Sequence, residues 1–448
     1  MKFYVSLSLA IKTLLGLLIL FSIKYIYDGK TIAEETLKIR LEENRILEVA
    51  LIQCRNRQPS NNSVTTNTVK WMTQSTNNFV TEKIKRDNKR NLIKYLVTLL
   101  KDSPYPGIEN YTQYTVARLG MPSIENVKPL KPEFGPVIND VLSFRYPVNI
   151  PSCPDNISSN KSVFIALISA PAHFQQRNDI RQTWNVHLKN INKNVMGMAR
   201  IGFFLGLTTN VTVQNQINEE SKKHGDVVQI EMNDSYRNLT LKSIAVLNWV
   251  RQHCAKVDLL FKVDDDVYVN VNNLVHFVRS NYQSNGSLFG YPNFGYLSIR
   301  MELGYDKGYA KWDMTYEEYP WGNFPNYVNG PAYLMHGSVV VPLLAASQTT
   351  PLIPFEDVFL TGMCTEKAGI KMQYSEGNPS VFYGSLPTVP TPCDLRSFVA
   401  WSTDNHVNTH VAVDDYYRNK TLCVITGLDG TNRTIDFTAP INFAFSGS

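Results

Sequence analysis

The sequence predicts an α/β fold with a mainly parallel sheet and helices on both of its faces. From Lys161 onward, short apolar runs typical of buried strands alternate with segments of helical periodicity. This alternation is typical of parallel sheets, because successive parallel strands need a crossover connection. At 448 residues the chain is long enough for one large domain of this kind with appendages. The predicted strands are 162–169, 199–207, 227–231 and 258–264, and the predicted helices are 174–184, 213–224, 238–253 and 271–280.

Three segments beyond this region differ from it in composition. Residues 291–327 are aromatic, glycine-rich and irregular, which suits a substrate-binding insertion. Residues 356–369 are predicted to form a helix, because Phe359 and Met363 lie one turn apart. Residues 394–448 contain many Val, Thr and Phe residues and are predicted to form short strands.

The first 27 residues predict a cytoplasmic tip and an uncleaved signal-anchor helix. Residues 3–27 are mostly apolar and long enough to span a bilayer core, although Lys12 interrupts the run. A cleaved signal peptide is the alternative, but no small-residue cleavage pattern follows the apolar run. We therefore expect a lumenal stem at 28–150 and a lumenal catalytic domain at 151–448.

The predicted stem contains two helical segments. Residues 31–52 have the pattern of a charged amphipathic helix, with Ile32, Ile39 and Ile46 at heptad spacing. This helix either pairs with a second copy, which predicts a homodimer through the stem, or is a lone stem helix. A short apolar helix is predicted at 91–100.

The sequons, the cysteines and the net charge indicate the compartment of the protein and exclude some classes of partner. Ten N-x-S/T sequons place the large C-terminal part in the lumen of the secretory pathway, where such sites are used. The six cysteines contain no CxxC pair, which argues against a zinc ribbon or a thioredoxin-type site and favours disulfides. The net charge of +5 is mild and the basic residues are not clustered, so no nucleic-acid partner is expected.

Three consecutive carboxylates, Asp264, Asp265 and Asp266, follow the apolar run that ends at Val263. Adjacent like charges at a strand end repel one another, and a divalent cation such as Mn²⁺ or Mg²⁺ is the usual way to offset that repulsion. The carboxyl end of a strand in an α/β sheet is also where nucleotides bind. The acidic turn therefore predicts a metal and nucleotide-diphosphate site, and a solvated turn without a ligand is the alternative.

Four further segments accompany the acidic turn in a fixed order. Residues 177–184 and 231–242 precede the turn, and residues 327–334 and 355–362 follow it. In this order and spacing the set resembles glycosyltransferase family 31, which contains Golgi β-1,3-galactosyltransferases and β-1,3-N-acetylglucosaminyltransferases. The resemblance runs from about residue 151 to about residue 370, roughly half of the chain.

The resemblance implies a GT-A nucleotide-sugar transferase fold and an inverting hexosyltransferase. The enzyme would move galactose or an N-acetylhexosamine from a UDP-sugar to a hydroxyl of a glycan on a glycoprotein or glycolipid, forming a β-1,3 linkage. The implied location is the Golgi membrane, with a single type II span and a lumenal catalytic domain. A catalytically inactive carbohydrate-binding or scaffold protein of the same fold is the alternative. The sequence leaves the donor sugar and the acceptor open.

The resemblance also assigns roles on the donor side. Asp266 is expected to bind the metal, Mn²⁺ or a similar divalent cation, and Asp264 and Asp265 to face the metal, its waters or the ribose of the nucleotide. Arg177 and Arg181 lie four residues apart on one predicted helix face. Guanidinium groups suit diphosphate oxygens, so both arginines are expected to bind the donor. Structural pairing with a carboxylate is the alternative.

On the acceptor side, the resemblance places Asp357 at the position of the catalytic base and gives Glu356 a supporting role. Two carboxylates at a helix start also favour the helix electrostatically, which is the structural alternative. Residues 330–333 resemble the glycine–tyrosine segment of the acceptor pocket. His406 or His410 either completes the metal site or is an ordinary loop histidine.

A disulfide between Cys364 and Cys393 is expected on the same basis, because the family commonly has cysteines at both places. The bridge would hold the helix that follows Asp357 against the C-terminal segment.

Overall fold

The computed structural model describes one compact unit that begins at Arg86. The described residues are 86–447, apart from 88, 155–160, 192–195, 280–285, 376–381, 388–389, 420–422, 427–430 and 436–444. Among them, no helix combines the length and the apolar character that a membrane crossing requires. The predicted anchor at 3–27 and the amphipathic segment at 31–52 lie outside the described residues.

Strands and helices alternate through the first half of the unit. The strands are β1 Ser162–Ile168, β2 Met198–Leu207, β3 Val227–Asn233, β4 Leu259–Asp264, β5 Val267–Val269, β6 Ser287–Asn293, β7 Tyr327–His336, β8 Lys371–Ser375, β9 Tyr383–Gly384, β10 Ala400–Ser402, β11 Cys423–Thr426, β12 Asn432–Ile435 and β13 Phe445–Gly447. The helices are α1 89–100, α2 Ile108–Leu119, α3 Phe174–Gln182, α4 Trp184–Lys189, α5 Val211–His224, α6 Leu239–His253, α7 Val271–Arg279, α8 Val340–Thr349, α9 Thr365–Ala368, α10 Pro392–Ser397 and α11 His406–Arg418.

An eight-stranded sheet forms the centre of the unit, in the order β13-β8-β6-β7-β4-β1-β2-β3. Strands β4, β1, β2 and β3 run parallel to one another, as the sequence predicts. Strand β7 runs antiparallel to both β4 and β6, and β13 runs antiparallel to β8. Strands β6 and β8 run parallel to each other and in the same direction as β4, so only β7 and β13 of the eight strands run against the others. The expectation of a mainly parallel sheet is therefore confirmed, with two antiparallel strands that the sequence did not reveal. Apolar runs show that a segment is a buried strand but do not encode its direction.

Helices cover both faces of the sheet, which confirms that part of the prediction. Alternate side chains of β1 enter two separate cores, with Phe164 in one and Ile165 in the other. Helices α6 and α8 pack into the first core, and α3, α4 and α7 pack into the second. The period of two along a strand causes this division, because successive side chains point to opposite faces.

The helix predicted at 356–369 begins as a π-helix, Val358–Cys364, and ends as α9. Thr361 lies within it and donates its hydroxyl to the Asp357 carbonyl at 2.6 Å. π-Helical turns are rare and occur frequently at functional sites. The sequence pattern predicts a helix here but cannot distinguish this wider turn from an α-helix, because the local apolar spacing is compatible with both.

Residues 86–150, which we predicted as stem, are part of the compact unit. Tyr111 on α2 is fully buried, its hydroxyl donates to the Pro351 carbonyl at 3.0 Å, and its ring lies 6.0 Å from that of Trp321. The segment lacks the periodicity of a domain core, so its long-range partners could not be read from the sequence.

The expected Cys364–Cys393 disulfide is wrong. Cys393 pairs with Cys423, and Cys153 pairs with Cys254. Cys364 is a buried free thiol, because the π-helix turns its side chain into the core, with Sγ 3.6 Å from Ser347 Oγ.

The C-terminal part contains short strands, as predicted, and also α11, which the sequence reasoning missed. Val413 and Tyr416 on this helix are buried in the second core. Its sequence also contains β-branched residues, which masked the helical period.

Candidate active site

The acidic turn lies where β1 and β4 end side by side. Ile168 of β1 pairs with Asp264 of β4, and the Asp265 N–H donates to the Ile168 carbonyl at 3.1 Å. The Thr403 N–H donates to the Asp266 carbonyl at 2.8 Å, so the segment after β10 holds the turn from the other side. The three carboxylates therefore sit at the carboxyl end of the parallel strands, as predicted.

A cavity of about 660 Å³ opens next to this turn. Asp264 and Asp266 line it from the turn, and Glu356 and Asp357 line it from the start of the π-helix. The antiparallel pairing of β4 with β7, which aligns Val263 with Ala332, helps bring these two regions together. Four of the site residues predicted from distant parts of the sequence therefore face one space.

Lys262 connects the two pairs of carboxylates. Its buried ammonium lies 2.5 Å from Asp264 Oδ1 and 3.5 Å from Glu356 Oε2. It also donates to the Gly330 carbonyl at 2.6 Å. A buried amine that contacts two carboxylates offsets part of their mutual repulsion. Lys262 was not among the predicted site residues, although a lysine within an otherwise apolar strand is a recognisable signal.

The carboxyl groups around Lys262 have raised pKa values. Burial raises the pKa of Asp264 to about 7, and the Lys262 ammonium opposes that shift. The side chain of Asp264 nevertheless keeps 33% of its surface exposed. Burial also raises the pKa of Glu356, whose Oε1 accepts a hydrogen bond from the Tyr333 hydroxyl. The amine alone therefore leaves the site short of positive charge, which favours a bound cation.

Asp357 is held in one orientation by the backbone. Its Oδ2 accepts the Gly330 N–H at 3.1 Å, and its Oδ1 accepts the Val358 N–H at 2.9 Å. A Cβ added at Gly330 would lie 3.1 Å from Oδ2, so a glycine there allows the close approach. Burial raises the pKa of Asp357, and these two N–H donors and Lys262 oppose the shift. A fixed carboxylate with a raised pKa is suited to accept a proton.

Asp265 does not line the cavity that its two neighbours share. It is buried, and its Oδ2 lies 2.8 Å from Nδ1 of His173. His173 precedes α3, is partly exposed, and has a raised pKa because of this hydrogen bond. His173 was not among the predicted site residues, because no motif of the chain marks it.

The two histidines proposed for the metal site also lie outside the cavity lining. His406 is buried, and its Nε2 lies 2.9 Å from the Asp265 carbonyl oxygen. His410 lies one turn further along α11, with Nδ1 2.8 Å from the Tyr268 hydroxyl. His406 supports the backbone of the acidic turn in this structure, and neither side chain joins Asp264 and Asp266 at the cavity.

Arg177 and Arg181 are not brought to the cavity either. Arg177 is fully buried, and its five N–H groups are engaged by Glu220, Ser169 and the carbonyls of residues 170 and 171. Arg181 donates to Glu220 at 2.7 Å and, through two nitrogens, to Asp226 at 2.7 and 2.9 Å. This arrangement corresponds to the structural alternative, in which the arginines pair with carboxylates.

The residues present fit a divalent cation at the acidic turn. Asp264 and Asp266 offer carboxylate oxygens, the hard ligands that Mn²⁺ and Mg²⁺ accept. Two protein ligands are sufficient when diphosphate oxygens and water complete the coordination shell.

Aromatic side chains form another part of the cavity wall. Tyr296, Tyr309 and Trp312 line it from the segment between β6 and β7, which includes a 3₁₀ helix at Lys307–Trp312. The ammonium of Lys311 lies 4.3 Å from the centre of the Trp312 ring. Aromatic faces provide large contact area with little loss of side-chain entropy, which suits the apolar faces of sugar rings. This placement agrees with the predicted substrate-binding insertion.

Comparison with known proteins shows which family this region is similar to. The family model described as galactosyltransferase matches residues 175–376. This span contains the acidic turn, β7 and the carboxylates at the start of the π-helix. Residues 175–376 are thus similar to this galactosyltransferase family, in agreement with the resemblance of the motifs to glycosyltransferase family 31.

Among similar curated proteins, β-1,3-galactosyltransferase 5 of Gorilla gorilla gorilla is 29% identical over 260 residues, covering 57% of this chain and 83% of the relative. The acetylgalactosaminyl-O-glycosyl-glycoprotein β-1,3-N-acetylglucosaminyltransferase of Mus musculus is 28% identical, covering 58% of this chain and 68% of the relative. Among solved structures, a bifunctional glycosyltransferase in its apo form aligns with 8% identity and a TM-score of 0.31, covering 57% of this chain and 48% of its own. A galactosyltransferase in complex with donor and acceptor sugar analogues aligns with 12% identity and a TM-score of 0.28, covering 54% and 87%.

Proposed function

We propose that this chain is an inverting, metal-dependent β-1,3-hexosyltransferase that uses a UDP-sugar donor and has the GT-A fold. The observation that supports this most directly is the shared cavity onto which Asp264, Asp266, Glu356 and Asp357 open. A transferase of this kind needs a cation for the diphosphate and a base for the acceptor within reach of each other. The family match and the names of the curated relatives support the β-1,3 linkage.

The acidic turn is the proposed donor side of the cavity. Asp266 and Asp264 would hold a divalent cation, Mn²⁺ or a similar ion, which neutralises charge that develops on the UDP leaving group. Lys262 keeps Asp264 in place and links it to Glu356 on the acceptor side. Asp265 positions the turn through His173 and does not itself face the cavity.

Asp357 is the proposed general base. In a single displacement, the acceptor hydroxyl oxygen attacks the anomeric carbon of the donor sugar, and the bond to the diphosphate breaks with its electron pair remaining on UDP. The proton of the attacking hydroxyl passes to Asp357. Burial raises the pKa of this carboxylate, which increases its basicity, and the hydrogen bond from the Gly330 N–H fixes its orientation. Glu356 would orient the site through Tyr333 and Lys262.

The aromatic wall is the proposed acceptor side. Tyr296, Tyr309 and Trp312 would pack against the apolar face of an acceptor sugar on a glycoprotein or glycolipid. The donor sugar, galactose or an N-acetylhexosamine, stays open, since both chemistries occur in the names of the relatives.

A UDP-release assay tests the proposed activity. The full chain with Mn²⁺ is incubated with UDP-Gal, UDP-GlcNAc or UDP-GalNAc and a panel of glycan acceptors. We expect UDP release that depends on the acceptor and is strongest with one donor. Binding of acceptor glycans without UDP release from any donor would instead support the carbohydrate-binding or scaffold alternative.

We also propose that the protein is a type II Golgi membrane protein with an anchor at 3–27. The sequons and the two disulfides of the described part support this proposal. Homodimerisation through 31–52 belongs to the same proposal. Alkaline carbonate extraction and N-terminal sequencing of the mature protein test the anchor. A uniform soluble product that begins just after the apolar run would show a cleaved signal peptide.

A further inference from the structure

Three side chains with metal-binding atoms cluster outside the lining of the catalytic cavity. His187 comes from α4, and His410 and Asp414 come from α11. One ligand atom from each lies within 4.8 Å of the others. His187 and Asp414 line a groove of about 480 Å³, to which Asn190 and Asn272 add amide groups.

The positions of the three side chains are set by the two helices that carry them. His410 and Asp414 are four residues apart and therefore project from one face of α11, with Nε2 and Oδ2 3.9 Å apart. His187 reaches across from α4, with Nε2 3.0 Å from Asp414 Oδ1. Tetrahedral Zn²⁺ with bonds of about 2.0–2.2 Å places its ligand atoms roughly 3.3–3.5 Å apart, so small side-chain rotations are sufficient.

The hydroxyl of Tyr268 already holds the ring of His410. Its Nδ1 lies 2.8 Å from the hydroxyl of Tyr268, which is buried in β5. When a metal occupies Nε2, the Nδ1–H donates to the Tyr268 oxygen, which fixes the tautomer and the ring orientation. Histidines that bind metals nearly always have such a partner for the other ring nitrogen.

We propose that His187, His410 and Asp414 form a binding site for Zn²⁺ or a similar first-row transition metal, separate from the cation site at the acidic turn. Two imidazoles and one carboxylate suit Zn²⁺, with water as a fourth ligand, whereas Mn²⁺ and Mg²⁺ prefer oxygen ligands. Arg418 lies 3.8 Å from Asp414, but its side chain is 74% exposed and is free to turn towards solvent as the metal binds.

The site would stabilise the helix that supports the acidic turn. One turn before His410, the same helix carries His406, which contacts the Asp265 carbonyl. A metal between α4 and α11 therefore fixes α11 near the donor side of the cavity without entering it. Its role is structural, and its occupancy does not depend on whether the cavity performs glycosyl transfer.

Zinc titration of the full chain, stripped of metal and without UDP, tests the site. We expect the wild type to bind one more Zn²⁺ per chain than the His410→Ala and Asp414→Asn variants, and to melt at a higher temperature when Zn²⁺ is present. Tyr268→Phe keeps the ligands and the packing of the ring, so it should weaken Zn²⁺ binding on the order of tenfold and not abolish it. His224→Ala removes an exposed histidine from another surface and is the matched control, with unchanged binding.

The Asp266→Ala variant distinguishes Zn²⁺ bound at this site from a cation bound at the acidic turn. This variant should retain the Zn²⁺ that His410→Ala and Asp414→Asn lose. Equal Zn²⁺ stoichiometry in the wild type and both variants, or loss of the metal in Asp266→Ala alone, would overturn the proposal. If His410→Ala does not fold, His187→Gln decides in its place, because that side chain is 30% exposed at the edge of the groove. Retention of bound Zn²⁺ by folded His187→Gln at wild-type affinity would equally reject the site.

Discussion

Replacing Lys262 by Met removes the positive charge that connects the two halves of the active site. The ammonium of Lys262 donates to Asp264 at 2.5 Å and to the Gly330 carbonyl at 2.6 Å, and it forms an ion pair with Glu356 at 3.5 Å. Removing one partner of a buried ion pair leaves an uncompensated charge and typically costs about 3–5 kcal/mol. We therefore expect the free energy of unfolding of Lys262→Met to fall by about this amount near neutral pH in EDTA.

Urea unfolding followed by tryptophan fluorescence measures this loss. Lys311→Met is the matched control, because Lys311 lines the same cavity but is exposed, and its loss should change stability by no more than about 0.5 kcal/mol. Added Mn²⁺ should recover part of the stability of Lys262→Met, since the cation offsets the same carboxylates. Equal stability of Lys262→Met and Lys311→Met would refute the assigned role of the buried amine.

Three further predictions concern the other site residues and pH. Asp266→Ala should lose UDP binding and turnover, as should the wild type in excess EDTA, and full activity in either case would contradict the proposed cation site. Asp357→Asn should keep its fold and its UDP affinity but lose roughly 10²–10⁴-fold in kcat; calorimetry that showed lost UDP binding with kcat intact in the bound fraction would make Asp357 a donor ligand instead. Burial raises the pKa of Asp264 from 3.8 to about 7, so between these pH values the folded protein binds more protons than the unfolded chain. In EDTA, this group's contribution to stability should therefore decrease as pH rises from about 4 to about 7, and Asp264→Asn should lack that part of the slope; identical slopes in the two proteins would show that Asp264 is not the group responsible.

Local patterns of the sequence correctly located the elements that carry the site. The four apolar runs predicted as strands form β1 to β4, and the helices between them begin and end close to the predicted positions. The helix predicted at 213–224 shows why, since Asn210 caps its first N–H groups and Gly225 ends it in the left-handed region with φ of 62°. Such signals act within a few residues, so they can be recognised without knowledge of the fold.

The carboxylates of the cavity were also predicted, those of the acidic turn from the local charge pattern and those of Glu356 and Asp357 from motif resemblance. Nothing in the sequence near Asp266 indicates that Asp357, some 90 residues later, faces the same space. Asp266 and Asp357 come close because β7 pairs with β4 in the antiparallel direction. The direction of a strand depends on how the whole sheet assembles and cannot be read from the strand's own sequence.

The partners of charged and sulfur-containing side chains were decided by tertiary structure alone. Arg177 and Arg181 have the spacing of an anion-binding pair, yet both form salt bridges with Glu220. Cys393 lies close to Cys423, while the π-helix directs Cys364 into the core. The sequence determined which segments become strands and helices and where carboxylates accumulate, because hydrophobic period and capping are local. Which charge meets which, and which cysteines pair, depends on contacts between segments far apart in the chain, and these exist only once the sheet has brought the segments together.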